Sequence, residues 1–313
     1  MTTGTLGDVG GWFRSASDEG ATLADRPGWG PGTGGFDLRS PDDVVAEALD
    51  AIHDRRLMVL TGAGMSTGSG LPDYRGRHAR PRAPMLYQEF VGSDVSRRRY
   101  WARSTVGWPH FLRARPGLAH RSLAELAHPL DLAGAVTQIV DRLHQRAGCR
   151  DVVDLHGRLD HVICLGCHAV SSRVAMQETL LALNEAFLAE VSAEAEQAPD
   201  GDAAVERTGG FRYPDCERCG GMLKPDVVFF GENAHKEAVA DAFAVLERSE
   251  AVLVLGSSLT VMSGLRFCRR AAREGKPVVI VGEGFTRGDE LATQRVHGLL
   301  EDVLPRWLAS LTP

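Results

Sequence analysis

Four of the six cysteines stand in two C-x-x-C pairs, Cys164/Cys167 and Cys216/Cys219. Each pair offers two thiolates from one tight turn. Two such turns complete a tetrahedral Zn²⁺ site with no open coordination position. The expected metal is therefore structural, not catalytic, and a redox pair is the alternative reading. Cys149 and Cys268 stand alone and read as small buried hydrophobes. A second stretch with chemical potential is Leu57–Arg75, LMVLTGAGMSTGSGLPDYR. Gly62 and Gly64 follow an apolar run, and Met65-Ser66-Thr67 can open a helix. Glycines let the backbone approach a bound group, and free N–H groups at a helix start suit a phosphate. This is the logic of a dinucleotide pyrophosphate site after the first strand of a Rossmann-like sheet. Gly68 falls one residue later than G-x-G-x-x-G requires, and glycine turns after strands also occur as plain punctuation. His156, in Asp154-Leu155-His156-Gly157, is of the type that moves protons near neutral pH, although a lone histidine is more often structural.

The elements that must position these residues follow from the apolar pattern. Leu57–Leu60, Leu132–Val140, Ala251–Leu255 and Pro277–Val281 are short apolar runs of the kind that form buried parallel strands. Ser40-Pro41-Asp42-Asp43 reads as a helix start, with Ser40 as N-cap and Pro41 at the first helical position. Val44, Ala48, Leu49 and Ile52 then line one face to about Asp54. Helical character also marks Arg97–Phe111, His120–Leu126, Ser171–Gln197, Gly264–Arg273 and Val296–Leu308. The fold expected is α/β: a Rossmann-like parallel sheet with helices on both faces and a small inserted zinc-binding module. The boundaries expected are 1–39 for a flexible extension, 40–157 and 222–313 for the main domain, and 158–221 for the insert, with a loop over 198–210. The chain has 313 residues, 43% hydrophobic content and a net charge of −6, so nucleic acid is not an expected partner. No apolar run approaches the ~20 residues that span a bilayer, and no secretory leader is visible. A cytoplasmic monomer without membrane contact is expected.

Gly62-Ala63-Gly64-Met65-Ser66, followed by Gly70-Leu71-Pro72-Asp73-Tyr74-Arg75, closely resembles the signature of the sirtuins, NAD-dependent protein-lysine deacylases. Further matches follow in order. They are Thr137-Gln138-Ile139-Val140-Asp141-Arg142-Leu143-His144, the Asp154–Gly157 segment, the cysteine pairs, Leu223–Glu232 and Gly256-Ser257-Ser258. Arg99–Pro109 resembles the class II branch. The resemblance spans about residues 41–309.

The resemblance implies NAD and one structural Zn²⁺ as cofactors. NAD contacts are implied at Gly62, Ala63, Gly64, Met65, Ser66, Asp73, Tyr74, Arg75, Gln138, Asp141, Gly256, Ser257, Ser258, Gly282, Gly284 and Leu300. His156 is implied as general base and His144 as structural. Val228, Phe229, Phe230, Gly231 and Glu232 are implied to form an exposed strand that pairs with substrate peptide, although VVFF reads equally as a core strand. The segment from Arg77 is implied to be a mobile loop over the cofactor. The aromatics of Arg99–Pro109 either pack a helix or line an acyl tunnel. The implied partners are acylated lysine side chains of proteins, and the products are nicotinamide, free lysine and O-acyl-ADP-ribose. Two positions depart from the family. Ile139 stands where it has Asn, and Gly282 lies where an Asn commonly holds the adenosine ribose. The class II likeness and Ile139 open the alternative of a protein mono-ADP-ribosyltransferase, and Ile139 with Gly282 that of a catalytically weak NAD-binding regulatory module. No Tyr-x-x-Arg pair of the kind expected of succinyl- or malonyl-specific members of the family is evident after the NAD loop, so neutral acyl groups are expected.

Overall fold

The computed structural model describes residues 35–77, 79, 84–190 and 208–312. The expected N-terminal extension lies outside the described residues as far as residue 34, as does most of the expected 198–210 loop. The loop expected after Arg77 is described only in part. Helix α1 (Asp42–Asp50) leads into β1 (Leu57–Thr61). Then come α2 (Tyr87–Gly92), α3 (Asp94–Arg113), α4 (Leu118–Leu126), β2 (Leu132–Thr137), α5 (Leu143–Ala147) and β3 (Val152–Asp154). They are followed by β4 (Gly157–Cys164), β5 (Val170–Ser172), α6 (Arg173–Leu183), α7 (Glu185–Glu190) and β6 (Leu223–Val227). The chain returns through α8 (Lys236–Glu247), β7 (Ala251–Leu255), α9 (Met262–Arg273), β8 (Val278–Gly282), β9 (Gln294–His297) and α10 (Leu300–Leu311).

Six strands form one parallel sheet in the order β3-β2-β1-β7-β8-β9. Strands β1, β7 and β8 are buried along their whole length, as strands covered on both faces must be. Side-chain alternation divides the apolar residues between two cores. Leu57 and Val59 face a core shared with α1, α4 and α10. Met58 and Leu60 face one shared with α8 and α9.

A second sheet, β5-β4-β6, is antiparallel. Its apolar residues Leu159, Val162 and Val227 share a third core with Met176 and Leu180 of α6. Phe90 of α2 and Tyr100, Trp101 and Trp108 of α3 lie in the same core, so α2 and α3 join the inserted module. Pro109 shows how the two are locked. Its ring nitrogen has no hydrogen to give the Thr105 carbonyl one turn back. Gln177 of α6 donates to that carbonyl instead, at 2.9 Å. Gln177→Ala is expected to cost about 1–3 kcal/mol by leaving this buried acceptor unmet, read by denaturant unfolding.

Local readings differ from the structure at several places; the expected strand Leu132–Val140, for one, ends at Thr137. Ser40 does not cap α1, whose N-cap is Pro41. Its hydroxyl accepts the His297 N–H at 2.9 Å and ties the start of the helix to β9. Strand β9 occupies Gln294–His297, so the terminal helix starts at Leu300, not at Val296. After β1, Met65–Thr67 opens no α-helix; two short 3₁₀ turns, Ala63–Met65 and Thr67–Ser69, stand there.

Candidate active site

The sheet order places the C-terminal ends of β1 and β7 side by side with their chains departing in opposite directions. Ligands of open α/β sheets favour such a switch point. Here the loop after β1 meets the loop after β7 backbone to backbone. Gly62 N–H donates to the Leu255 carbonyl and Gly64 N–H to the Gly256 carbonyl, each at 2.9 Å. A Cβ on Gly62 would lie 2.6 Å from Ser257 Cα, and one on Gly64 2.9 Å from Gly256 Cα. These glycines are needed for the crossing of two loops before any ligand is considered. Gly256 itself takes a left-handed φ of 60°.

His156 closes the other side of the cleft. Its Nδ1 lies 3.0 Å from the Gln138 carbonyl. A carbonyl only accepts, so Nδ1 carries the hydrogen and Nε2 is the basic atom. Nε2 accepts from the Ser263 hydroxyl at 2.7 Å. Burial holds the ring down at about 4, with the Gln138 carbonyl opposing and Arg266 reinforcing the shift, so the imidazole is neutral at pH 7. Gly157 follows with φ 77°, and a Cβ there would lie 2.2 Å from the Asp226 carbonyl. Glycine is thus required to bring β6 against His156, and Val228 N–H donates to the His156 carbonyl at 2.8 Å.

The segment after β2 links these parts. The Gln138 amide donates to the Ser257 hydroxyl at 2.8 Å. The Asp141 carboxylate accepts from the Ser66 hydroxyl at 2.6 Å and from Leu143 N–H at 2.8 Å. Burial raises the Asp141 pKa, and those two donors pull it back. Ile139 is 9% exposed and lies with Met65 in the core of α1, α4 and α10. Behind Asp141, the buried rings of His120 and His144 meet edge to face at 4.9 Å. Burial holds His120 at about 4 and His144 at about 3. Both rings titrate near 6.5 once unfolded, so the unfolded chain takes up protons first as pH falls. Stability is complete above about pH 6.5 and declines below it, by up to about 2.7 kcal/mol per pH unit for the two rings. Denaturant unfolding between pH 7 and pH 4.5 is expected to show this slope. An unchanged midpoint would exclude it.

The remaining expected contacts spread along the cleft. Asp73 accepts Gly76 N–H at 3.0 Å and folds the loop, while Tyr74 stacks edge-on to Phe230 at 5.8 Å. Burial draws Arg75 below the usual arginine pKa, with Tyr74 and Asp73 opposing. Ser258 bonds to Thr260 at 3.1 Å. Gly282 approaches Gly256, and Gly284 lies under the Phe36 ring. Leu300 is 3% exposed and packs into the first core at the start of α10. The Val228–Glu232 stretch is not a strand, because β6 ends at Val227. Phe229 is buried, Gly231 is exposed, and Phe230 forms a single bridge to Leu86. The turn is held from within. Lys224 Nζ, itself buried, lies 3.1 Å from the Glu232 carboxylate, which also accepts Phe229 N–H at 2.8 Å. Burial lowers the Lys224 pKa and Glu232 raises it back. Glu232→Ala is expected to destabilise the chain by about 3–5 kcal/mol by stranding a buried ammonium. A drop in Tm checks this, and Lys224→Met in the same chain should recover most of it.

Two residues of the cleft escaped the sequence reading, Ser263 and Gly264 at the start of α9. Ser263 holds His156, and a Cβ on Gly264 would lie 2.6 Å from the Gln138 side-chain oxygen. Their only local mark is a small pair at a helix start. Contrary to the expectation, a Tyr-x-x-Arg pair does follow the NAD loop: Tyr100 and Arg103 on α3, with the Tyr100 ring 5.2 Å from that of Phe229.

Across the second sheet, Cys164, Cys167, Cys216 and Cys219 bring their sulfurs within 4.8 Å of one another. The Cys164–Cys219 and Cys167–Cys216 separations are 3.5 and 3.7 Å. Tetrahedral thiolates at ~2.3 Å from Zn²⁺ stand about 3.8 Å apart, so the set fits one structural zinc ion. Gly166 and Cys167 N–H groups point at Cys164 Sγ, and Gly221 N–H at Cys219 Sγ, as donors to thiolates should.

The fold and cleft define a dinucleotide-binding protein whose site lies between a parallel sheet and a four-cysteine module. The chain belongs to the Sir2 family: the model of that family matches residues 62–263. The chain is 49% identical over 269 residues to NAD-dependent protein deacetylase 1 of Mycobacterium avium (strain 104), covering 85% of this chain and 95% of that one. It is 45% identical over 277 residues to NAD-dependent protein deacetylase 3 of Pseudomonas syringae pv. tomato, covering 86% and 97%. Among solved structures, a Sir2 complex with p53 peptide and NAD⁺ superposes with a TM-score of 0.66 at 29% identity, over 84% of this chain and 97% of that one. Among the described residues, no helix is long and apolar enough to cross a membrane.

Proposed function

We propose that the protein is an NAD-dependent protein-lysine deacylase whose general base is His156. The observation that carries this reading is the state of that ring: neutral, with Nδ1–H fixed by the Gln138 carbonyl and Nε2 aimed at a hydroxyl. Bound NAD supplies an electrophilic ribose carbon with a cationic leaving ring. The loop crossing at Gly62–Ser66 and Gly256–Ser258 accommodates the pyrophosphate and riboses by close backbone approach. Gln138 and Asp141 are the polar groups of their segment, since Ile139 is turned into the core. Nε2 of His156 exchanges the Ser263 hydroxyl for a ribose hydroxyl and takes its proton. Val228–Glu232 presents the main chain to the acyl-lysine peptide.

Nicotinamide release with and without acyl-lysine peptides tests the assignment. Acetyl, longer aliphatic and acidic acyl groups belong in the panel, the last because of Tyr100 and Arg103. Release that requires both peptide and His156, with label from NAD recovered as free O-acyl-ADP-ribose, is the expected result. Label retained on protein would point to ADP-ribosyl transfer instead.

A further inference from the structure

A cavity of about 380 Å³ has Asp141 in its lining but reaches neither His156 nor the glycine loops after β1 and β7. Its volume falls in the range of small-molecule sites. Trp108, Phe111, Val140 and Leu159 supply apolar walls, and three arginines, Arg115, Arg142 and Arg146, stand around it. Two of these cations make no ion pair among the described residues, although the Arg146 charge acts on the buried Asp141 carboxylate and, against the effect of burial, lowers its pKa. Arg142 is paired with Asp154. Among the described residues Arg115 donates only to the Leu112, Arg113 and Ala114 carbonyls at the end of α3, at 3.3–3.4 Å. The Arg146 guanidinium makes no hydrogen bond or ion pair among the described residues. The carboxylates nearby are already engaged, Asp160 by Arg158 at 2.6 and 2.7 Å and Asp141 by Ser66 and Leu143. Apolar walls beside two guanidiniums that hold no carboxylate by hydrogen bond match a ligand with a hydrocarbon body and a carboxylate head, which arginine binds in a two-pronged geometry.

The cavity wall is continuous with the cleft. Val140, Asp141 and Arg142 directly follow Gln138, and the Asp141 carboxylate reaches Ser66 in the first glycine loop. Arg142 takes a left-handed φ of 66°, a conformation non-glycine residues hold only under constraint. Packing against this wall therefore bears on the segment that carries Gln138 and Asp141. We infer that the cavity is a regulatory site for small amphipathic carboxylates, whose binding changes the affinity for NAD. The coupling half rests on the function proposed above; the binding half stands without it.

Octanoate is a suitable probe, added to the zinc-loaded full chain and followed by calorimetry. Saturable one-to-one binding is expected, at least tenfold weaker in Arg115→Ala/Arg146→Ala and for neutral octanamide. NAD affinity measured at saturating octanoate is expected to shift by about fivefold or more, within the usual span of coupling between sites. The arginines are exposed, and retained zinc and an unchanged Tm show that the variant folds. Absence of saturable octanoate binding overturns the proposal, as does binding that the double variant leaves intact. Displacement of octanoate by acyl-lysine peptide places it in the substrate cleft and overturns it too. Binding that obeys the arginines but leaves NAD affinity unchanged overturns the regulatory half. None of these readings depends on turnover.

Discussion

Replacing His156 with alanine is expected to lower peptide-dependent nicotinamide turnover by roughly 100- to 10,000-fold, the usual share of a positioned general base. NAD binding should survive, because the glycine crossing of β1 and β7 does not pass through this ring. Calorimetry with NAD and a steady-state assay on the same preparation separate the two effects. A fall in affinity equal to the fall in turnover would make His156 a structural residue. The pH profile adds a second check. Burial holds the ring at about 4, so between pH 6 and 8 His156 is neutral and contributes no limb to kcat/KM. An acid limb at 6.5 that disappears with the alanine variant would contradict the buried, neutral ring. Ser263→Ala is informative beside it, since the serine hydroxyl occupies Nε2 and is the group a ribose hydroxyl must replace.

Removal of zinc is expected to be the most damaging change outside the cleft. Structural Zn²⁺ sites contribute about 10–16 kcal/mol of binding free energy at pH 7. A whole domain is stable by about 5–15 kcal/mol. Cys216→Ser, or chelation under mild denaturant, should therefore melt the β5-β4-β6 sheet. The consequence extends to the cleft, because β6 presses on Gly157 and leads into Val228–Glu232. Trp101 and Trp108 lie in the core that depends on this sheet, so their near-ultraviolet dichroism reports its loss. The two cores of the parallel sheet involve none of the four cysteines, and far-ultraviolet helix signal should largely remain. One zinc released per chain, together with loss of the tryptophan signal and of deacylation, is the expected outcome. A metal-free chain that keeps both would show the cysteines to be dispensable.

Residue types and short spacings carried much of this protein. Two thiolates on one turn are a local geometry, so the metal set was legible without a fold. Short apolar runs at 57–60, 251–255 and 277–281 read as strands covered on both faces, and the structure has strands there. Gly62 and Gly64 were legible as sites of close approach. That they approach Gly256 and Ser257 was not, since about 190 positions separate the partners and no periodicity records such a pairing. The same holds for Ser263 on His156 and for Gln177 under Pro109, contacts 107 and 72 residues apart. Strand β9 was missed because three of its four residues are polar and its existence depends on an open edge at β8. Ser40 has every mark of an N-cap, yet its hydroxyl satisfies that edge strand instead. Local chemistry is written in neighbouring residues. Which loop meets which, whether Ile139 faces cleft or core, and which core holds α3 were decided by packing across the whole chain. Burial and hydrogen-bond satisfaction are conditions on all segments at once.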